Sequence, residues 1–333
     1  MLLVFTEPTD VHADHVLDKL HARGADVVRF NPADFPSQAE LSFVYTTNGV
    51  ARTQLRAHGR VIDLDQVSSV WWRRPELPVA DAQIEDPATR TYVEQECKAF
   101  TQDAWSFLDC AWLPARPAVV QRAQQKASQL AVAGRLGFEL PPTLITNSPA
   151  DFLDFYRQHN GQIISKLVGS AFMFSLGTTF SRYTEVVSSR DVAYAQSVRL
   201  CPIIFQAYVP KRFELRISVV GEQVFAAEIQ SQDSNHTRHD WRRYDSFRTV
   251  YRQHTLPDDL HQRCVRLIKH MGLRFGAIDM VFTPDGRYVF LELNPNGQYL
   301  WLEEAANLPI SDAIVDELLS ADEPFTTHIG VAA

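Results

Sequence analysis

Two acids and an amide near the C-terminal end carry the densest chemistry in the chain. The segments Gly276-Ala277-Ile278-Asp279-Met280-Val281-Phe282 and Tyr288-Val289-Phe290-Leu291-Glu292-Leu293-Asn294-Pro295 both read as strands, with Pro284-Asp285-Gly286 between them. Side chains two apart on a strand share a face, so Glu292 and Asn294 point the same way. A two-residue turn at Asp285-Gly286 sets Asp279 directly opposite Glu292, and a four-residue connection keeps both on one face with a diagonal offset. A three-residue loop parts them unless a bulge intervenes. Facing carboxylates repel, and burial raises the cost. A divalent cation resolves that conflict. Two Asp/Glu groups with an Asn carbonyl form a hard oxygen set suited to magnesium, which fills its remaining positions with water and phosphate oxygens.

Further cations and acceptors lie upstream. Lys166 ends the apolar run Gln162-Ile163-Ile164-Ser165 and precedes Gly169, Ser170, Ser175 and Gly177. A lysine there can reach a phosphate while a small-residue loop closes over it; a solvated strand end is the plainer reading of any single such lysine. Lys126 falls inside a helical stretch between Ala123, Ala127 and Leu130, where a snorkelling surface lysine is the alternative. Residues 203–209 run as a strand and break at Pro210, so Gln206, Ala207 and Val209 can offer an adenine edge their backbone groups. Glu214 could accept from ribose hydroxyls. Arg216, on the same strand face, could meet a phosphate bidentately, against the bland reading of a surface ion pair.

Such groups need elements to position them. The first part reads as a strand over 2–6, a helix capped by Asp10 and stopped near Gly24, and a strand over 27–30. A hairpin follows (41–46 and 51–55 about Asn48-Gly49), then short strands 61–64 and 70–72 and a long helix 89–108. No Gly-x-Gly-x-x-Gly stands at the first turn, so a dinucleotide site lacks its main signature. Leu113-Pro114-Ala115-Arg116-Pro117 is a stiff connector. Beyond it come a helix over 120–136 and strands 143–146, 162–166 and 179–187, alternating with helices 149–158 and 191–198. The third part holds the strand 203–209, a hairpin (214–220 and 223–230), a helix 257–271 and the two strands of the acidic set. The fold class is α/β (α+β), with parts at 1–115, 116–203 and 204–333.

At 333 residues the chain exceeds what one core usually organises. Its 45% apolar and 22% charged residues describe a soluble globular protein and exclude disorder, collagen and coiled coil. A net charge of -8 lacks a nucleic-acid footprint at the whole-chain level. Cys97, Cys110, Cys201 and Cys264 form no C-x-x-C pair and read as thiols of a reducing cytoplasm. Nothing reads as a signal peptide or a membrane span.

Taken in order, Lys126, Lys166, the strand exit at 206–209, Glu214, Arg216, Asp279 and Glu292-x-Asn294 resemble the ATP-grasp ligases over residues ~115–320, and the N-terminal part resembles their preceding α/β domain. Trp71-Trp72-Arg73-Arg74-Pro75, Asp240-Trp241-Arg242-Arg243-Tyr244-Asp245 and Leu291-Glu292-Leu293-Asn294-Pro295-Asn296-Gly297-Gln298-Tyr299-Leu300-Trp301 narrow the likeness to the graspetide synthetases, the microviridin-type peptide maturases. The resemblance implies Lys126 and Lys166 on the phosphates of ATP, adenine at 206–209, ribose at Glu214, and two magnesium ions shared by Asp279, Glu292 and Asn294. Gln206 stands where many members have Glu, and Arg116 where many have Asn. Arg216 would neutralise the transferring phosphoryl group.

The implied reaction phosphorylates an Asp or Glu side chain of a ribosomal precursor peptide. A Ser or Thr hydroxyl (ω-ester) or a Lys amine (ω-amide) then takes the acyl group, with release of ADP and phosphate. Arg242, Asp240, Arg73 and Arg74 are the candidates for holding the acidic peptide, and a homodimer is implied. Two other readings stand beside this one: an ATP-grasp ligase joining free amino acids or adding glutamate to a protein tail, and a non-catalytic ATP-binding module.

Overall fold

Strand β1 (Leu2–Thr6) is buried at every residue, as a parallel strand covered on both faces must be. The Asp10 carboxylate accepts from the His12 N–H and caps helix α1 (Val11–Ala22), after which β2 (Val27–Phe30) pairs parallel to β1. A separate antiparallel sheet follows, made of β3 (Ala39–Thr46), β4 (Gly49–Ala57) and β5 (Arg60–Asp63). Strand β6 (Ser69–Arg74) joins the other side of β1. After the long helix α2 (Pro87–Ser106), β7 (Ala111–Leu113) completes a parallel sheet in the order β2-β1-β6-β7. Trp72 packs on Phe5 with ring centroids 5.2 Å apart and Trp71 is 1% exposed, so this tryptophan pair is core.

The single helix expected over 120–136 is two, α3 (Pro117–Ala123) and α4 (Lys126–Arg135). In an unbroken helix the Ala123 carbonyl would bond residue 127; here it accepts from Gln129 Nε2 at 2.7 Å. Lys126 therefore opens a helix instead of sitting inside one.

Next come β8 (Thr143–Thr146), α5 (Pro149–Gln158), β9 (Ile163–Lys166), the hairpin of β10 (Phe172–Ser175) and β11 (Thr178–Ser181), β12 (Glu185–Val186), α6 (Ser189–Ala193) and β13 (Ile203–Ala207). Four of these strands form an antiparallel sheet, β12-β9-β13-β8, and the β10–β11 hairpin is a sheet of its own. The expected strand 179–187 is thus divided between β11 and β12, and the expected helix 191–198 is α6 followed by a 3-10 turn over Ala195–Leu200.

A five-stranded sheet in the order β16-β15-β14-β17-β18 is built from β14 (Phe213–Val220), β15 (Gln223–Ile229), β16 (Tyr251–His254), β17 (Phe275–Phe282) and β18 (Tyr288–Asn294). Helix α7 (Asp258–His270) covers it with Leu260, Cys264, Leu267 and Ile268, which recur at helical spacing and are all buried. Two helices follow, α8 (Leu300–Ala306) and α9 (Ile310–Leu319).

The computed structural model describes residues 1–47, 49–169, 172–175, 178–181, 184–233 and 250–320. The chain divides into two units, the first holding 1–120, 272–275 and the residues from 309 on, the second 121–271 and 276–308. Helix α9 therefore lies in the first unit, although the sequence division put it with the third part. Its Asp312 pairs with Lys19 at 2.7 Å, and the Leu318 carbonyl accepts from Ser69 Oγ at 2.9 Å. Among the described residues no helix is long and apolar enough to cross a membrane.

Candidate active site

The β17–β18 connection is the three-residue loop Pro284-Asp285-Gly286. The Thr283 N–H donates to the Arg287 carbonyl at 3.0 Å, and Gly286 closes the turn at φ +87, a left-handed value that suits glycine. This loop alone would put Asp279 and Glu292 on opposite faces. A bulge corrects it: Met280 pairs with Phe290, Leu291 is the extra residue, and Asp279 pairs with Glu292. Asn294 Nδ2 then lies 3.0 Å from Asp279 Oδ2 and 3.4 Å from Glu292 Oε1. The three side chains meet on one face of the hairpin, by the least obvious of the three routes.

Two cations meet the two acids. Glu214 and Arg216 share a face of β14, and Arg216 Nη1 donates to both Asp279 oxygens at 2.9 and 2.8 Å while Nη2 donates to the Gln298 carbonyl at 3.1 Å. Arg216 is 5% and Asp279 9% exposed at the side chain; separating a buried pair of this kind costs about 3–5 kcal/mol. Lys126 Nζ donates to Glu292 Oε2. Gln129, one turn on, holds α4 against β18. Its Nε2 donates to the Leu293 carbonyl at 2.7 Å and its Oε1 accepts from the Leu293 N–H at 3.0 Å.

Lys166 reaches the same cleft from the other sheet. Its Nζ donates to Gln206 Oε1 at 2.8 Å, and Gln206 Nε2 donates to Thr143 Oγ1 at 2.9 Å. Ala207 and Tyr208 give their N–H groups to the carbonyls of Pro142 and Gln162, both at 2.9 Å. Glu214 Oε1 accepts from Lys211 Nζ at 2.7 Å and from Ser231 Oγ at 2.9 Å. Here lies a cleft lined by Lys166, Gln206, Ala207, Val209, Glu214, Asp279 and Glu292 among others. Lys126, Arg216 and Asn294 join it through the bonds to the two acids.

Other expectations land elsewhere. Arg73 is a bulged residue of β6, since Phe5 pairs with Trp72 and Thr6 with Arg74. Its guanidinium is 1% exposed and sits 3.2 Å from Asp10, so it supports the first unit and is no surface for a peptide. Arg74 is half-buried, 3.8 Å from Glu7. Arg116 lies over the Trp112 ring at 5.5 Å. Asp240 and Arg242, with Ser170 and Gly177, lie outside the described residues. Burial pushes the thiols of Cys110 and Cys264 up to about 12, which withholds the thiolate that nucleophilic chemistry would need.

Lys211, Gln129, Thr143 and Leu291 were not anticipated. Only Lys211 had a sequence signal, lying three residues before Glu214. Among the described residues no group of three or more His, Cys, Asp or Glu side chains is placed to hold a metal ion.

Comparison with known proteins places this arrangement. The profile described as the MvdD pre-ATP grasp domain matches residues 1–119. The crystal structure of macrocyclase MdnC from Microcystis aeruginosa MRC, bound with precursor peptide MdnA, is 30% identical with a TM-score of 0.85; the match covers 96% of this chain and 99% of that one. The RiPP-associated ATP-grasp ligase of Chryseobacterium gregarium, solved with ADP and a leader and core peptide, is 28% identical with a TM-score of 0.88, over 96% of each chain. N-acetylaspartylglutamate synthase A from Homo sapiens is 26% identical over 121 residues, which span 36% of this chain and 30% of that protein.

Proposed function

The chain belongs to the graspetide-type ATP-grasp ligases, and from that premise we propose that it is an ADP-forming peptide macrocyclase. Its substrate is a ribosomal precursor peptide with a leader and an acidic core. A side-chain carboxylate oxygen of the core attacks the γ-phosphorus of ATP, and the bond to the bridging oxygen breaks to release ADP. A Ser or Thr hydroxyl, or a Lys amine, then attacks the acyl carbon and expels phosphate, closing an ω-ester or ω-amide ring. The convergence of Asp279, Glu292, Asn294, Arg216 and Lys126 on one cleft carries this reading.

Phosphoryl transfer asks a protein chiefly for position and charge neutralisation. The hard oxygens of Asp279, Glu292 and Asn294 fit magnesium, which we assign as two ions and which supplies charge neutralisation at the phosphates when bound. Lys126 and Lys166 hold the phosphates from opposite sides, and Arg216 faces the transferring group. Glu214, anchored by Lys211 and Ser231, meets the ribose. Ala207 and Tyr208 have committed their N–H groups, so adenine is read by Val209, the local carbonyls and the Gln206 amide. Arg74, Asp240 and Arg242 contact the acidic peptide, buried Arg73 does not, and the working form is a cytoplasmic homodimer.

The test is mass spectrometry of a short acidic precursor incubated with the protein, ATP and magnesium. Loss of one water per ring, with peptide-dependent ADP release, is expected. A mass gain would favour the second reading, a ligase acting on amino acids, which the match to N-acetylaspartylglutamate synthase A supports. ATP binding without ADP release would leave a binding module.

A further inference from the structure

The turn after β18 contains a glycine whose backbone does not explain it. Gly297 does not have a positive φ, so a left-handed backbone is not what calls for glycine there. What it lacks is space. A Cβ at position 297 would stand 2.5 Å from Arg216 Nη2 and closer still to Ala277 Cβ. Ala277 is itself fully buried and pairs with Asn294 across the hairpin. The Gly297 N–H donates to the Asn294 carbonyl at 3.1 Å, and the next carbonyl, Gln298, receives Arg216 Nη2 at 3.1 Å. The guanidinium is thus lodged in a slot. Asp279 lies on one side, the turn 294–298 lies on the other, and the missing side chain of residue 297 leaves the room.

We infer that Gly297 is a positioning residue for Arg216, acting by absence of a side chain. The inference rests on the reading of Arg216 as the group facing the transferring phosphoryl. The same turn starts at Asn294, so one short stretch of backbone ties the oxygen set to the arginine. Any side chain at 297 pushes the guanidinium out of register with Asp279, and misplacement of about 1 Å in such a site can cost about 10²-fold in rate.

Gly297→Ala alone also strikes Ala277, so the informative protein is the double variant Ala277→Gly/Gly297→Ala, which relieves that contact and keeps the one with Arg216. It is compared with wild type, with Arg216→Gln and with the triple variant. Two readouts are taken: urea unfolding of the nucleotide-free protein, and kcat against KM for ATP in peptide-dependent ADP release. The double should unfold cooperatively and lose about 10²-fold in kcat, with KM changed by less than about threefold. In the Arg216→Gln background the 277/297 changes should cost nothing more in either readout. Should the double fold poorly, the triple must fold no worse than Arg216→Gln alone, because the truncated side chain vacates the slot. Wild-type kcat in the double, losses of equal size in both backgrounds, or a triple folded clearly worse than Arg216→Gln alone would overturn the inference. If the wild type itself releases no ADP, the proposed function fails, while the unfolding cycle still tests the slot.

Discussion

Glu292 and Asp10 show how differently one side-chain type serves the two units. Glu292 sits opposite another acid, is held by Lys126, and is only partly covered. Glu292→Gln keeps the shape, removes the charge that both the ammonium and a divalent ion need, and should lower turnover by at least about 10²-fold with an unchanged circular dichroism spectrum. Wild-type rates would remove the metal assignment. Asp10 is a structural acid. Burial works to raise its pKa, but the Arg73 charge, the Thr6 hydroxyl and the charges of His12 and Arg74 prevail and hold it below the usual carboxylate value. A depressed native pKa gives stability that is complete above the unfolded value of ~3.9 and lost as pH falls through the lower native one. Asp10→Asn should therefore cost about 3 kcal/mol in urea unfolding at pH 7, and its deficit against wild type should close below about pH 4. A deficit independent of pH would contradict the assignment. That Glu292 and Asn294 share a strand face could be read from their spacing of two, and that Asp279 lies across from Glu292 could be read only as one of several registers. Arg73 was misread because a charged side chain in a strand looks exposed until a bulge turns it inward.

Elements decide which of these residues meet. Periodicity found both strands of the acidic hairpin but left its register open, because loop length and the bulge at Leu291 trade against one another and neither has a distinctive local sequence. The break between α3 and α4 was invisible for another reason. No Gly or Pro marks it; a buried glutamine takes the free carbonyl and clamps the new helix to β18. Gln129→Leu would leave the Ala123 and Leu293 carbonyls and the Leu293 N–H without this partner. A buried polar group so stranded costs about 1–3 kcal/mol. The variant should lose at least about 2 kcal/mol of stability and raise KM for ATP, as Lys126 loses its fixed position. Calorimetric unfolding and nucleotide titration check both; an unshifted transition would mean that α4 is held by other contacts.

Over the whole molecule the sequence resolved the order of parts better than their membership. The α/β character was legible, since alternating patterns are local. That Ile310, Ile314, Val315 and Leu318 of α9 are buried in the first unit was not, because a short apolar helix does not say which partner it covers. Burying one such side chain contributes about 1.5–3 kcal/mol, so the four together rival the 5–15 kcal/mol of a typical domain. Ending the chain at residue 308 should therefore make β1 and β6 exchange amide hydrogens freely, which mass-resolved hydrogen exchange would reveal; full protection would show that the first unit stands without α9. The same return of the chain has a consequence during synthesis. A ribosome adding about 5–20 residues per second releases the opening parallel sheet long before the helix that seals it exists. Through that interval the nascent N-terminal region must wait with an apolar face unsealed, in the care of whatever chaperones meet it at the exit tunnel.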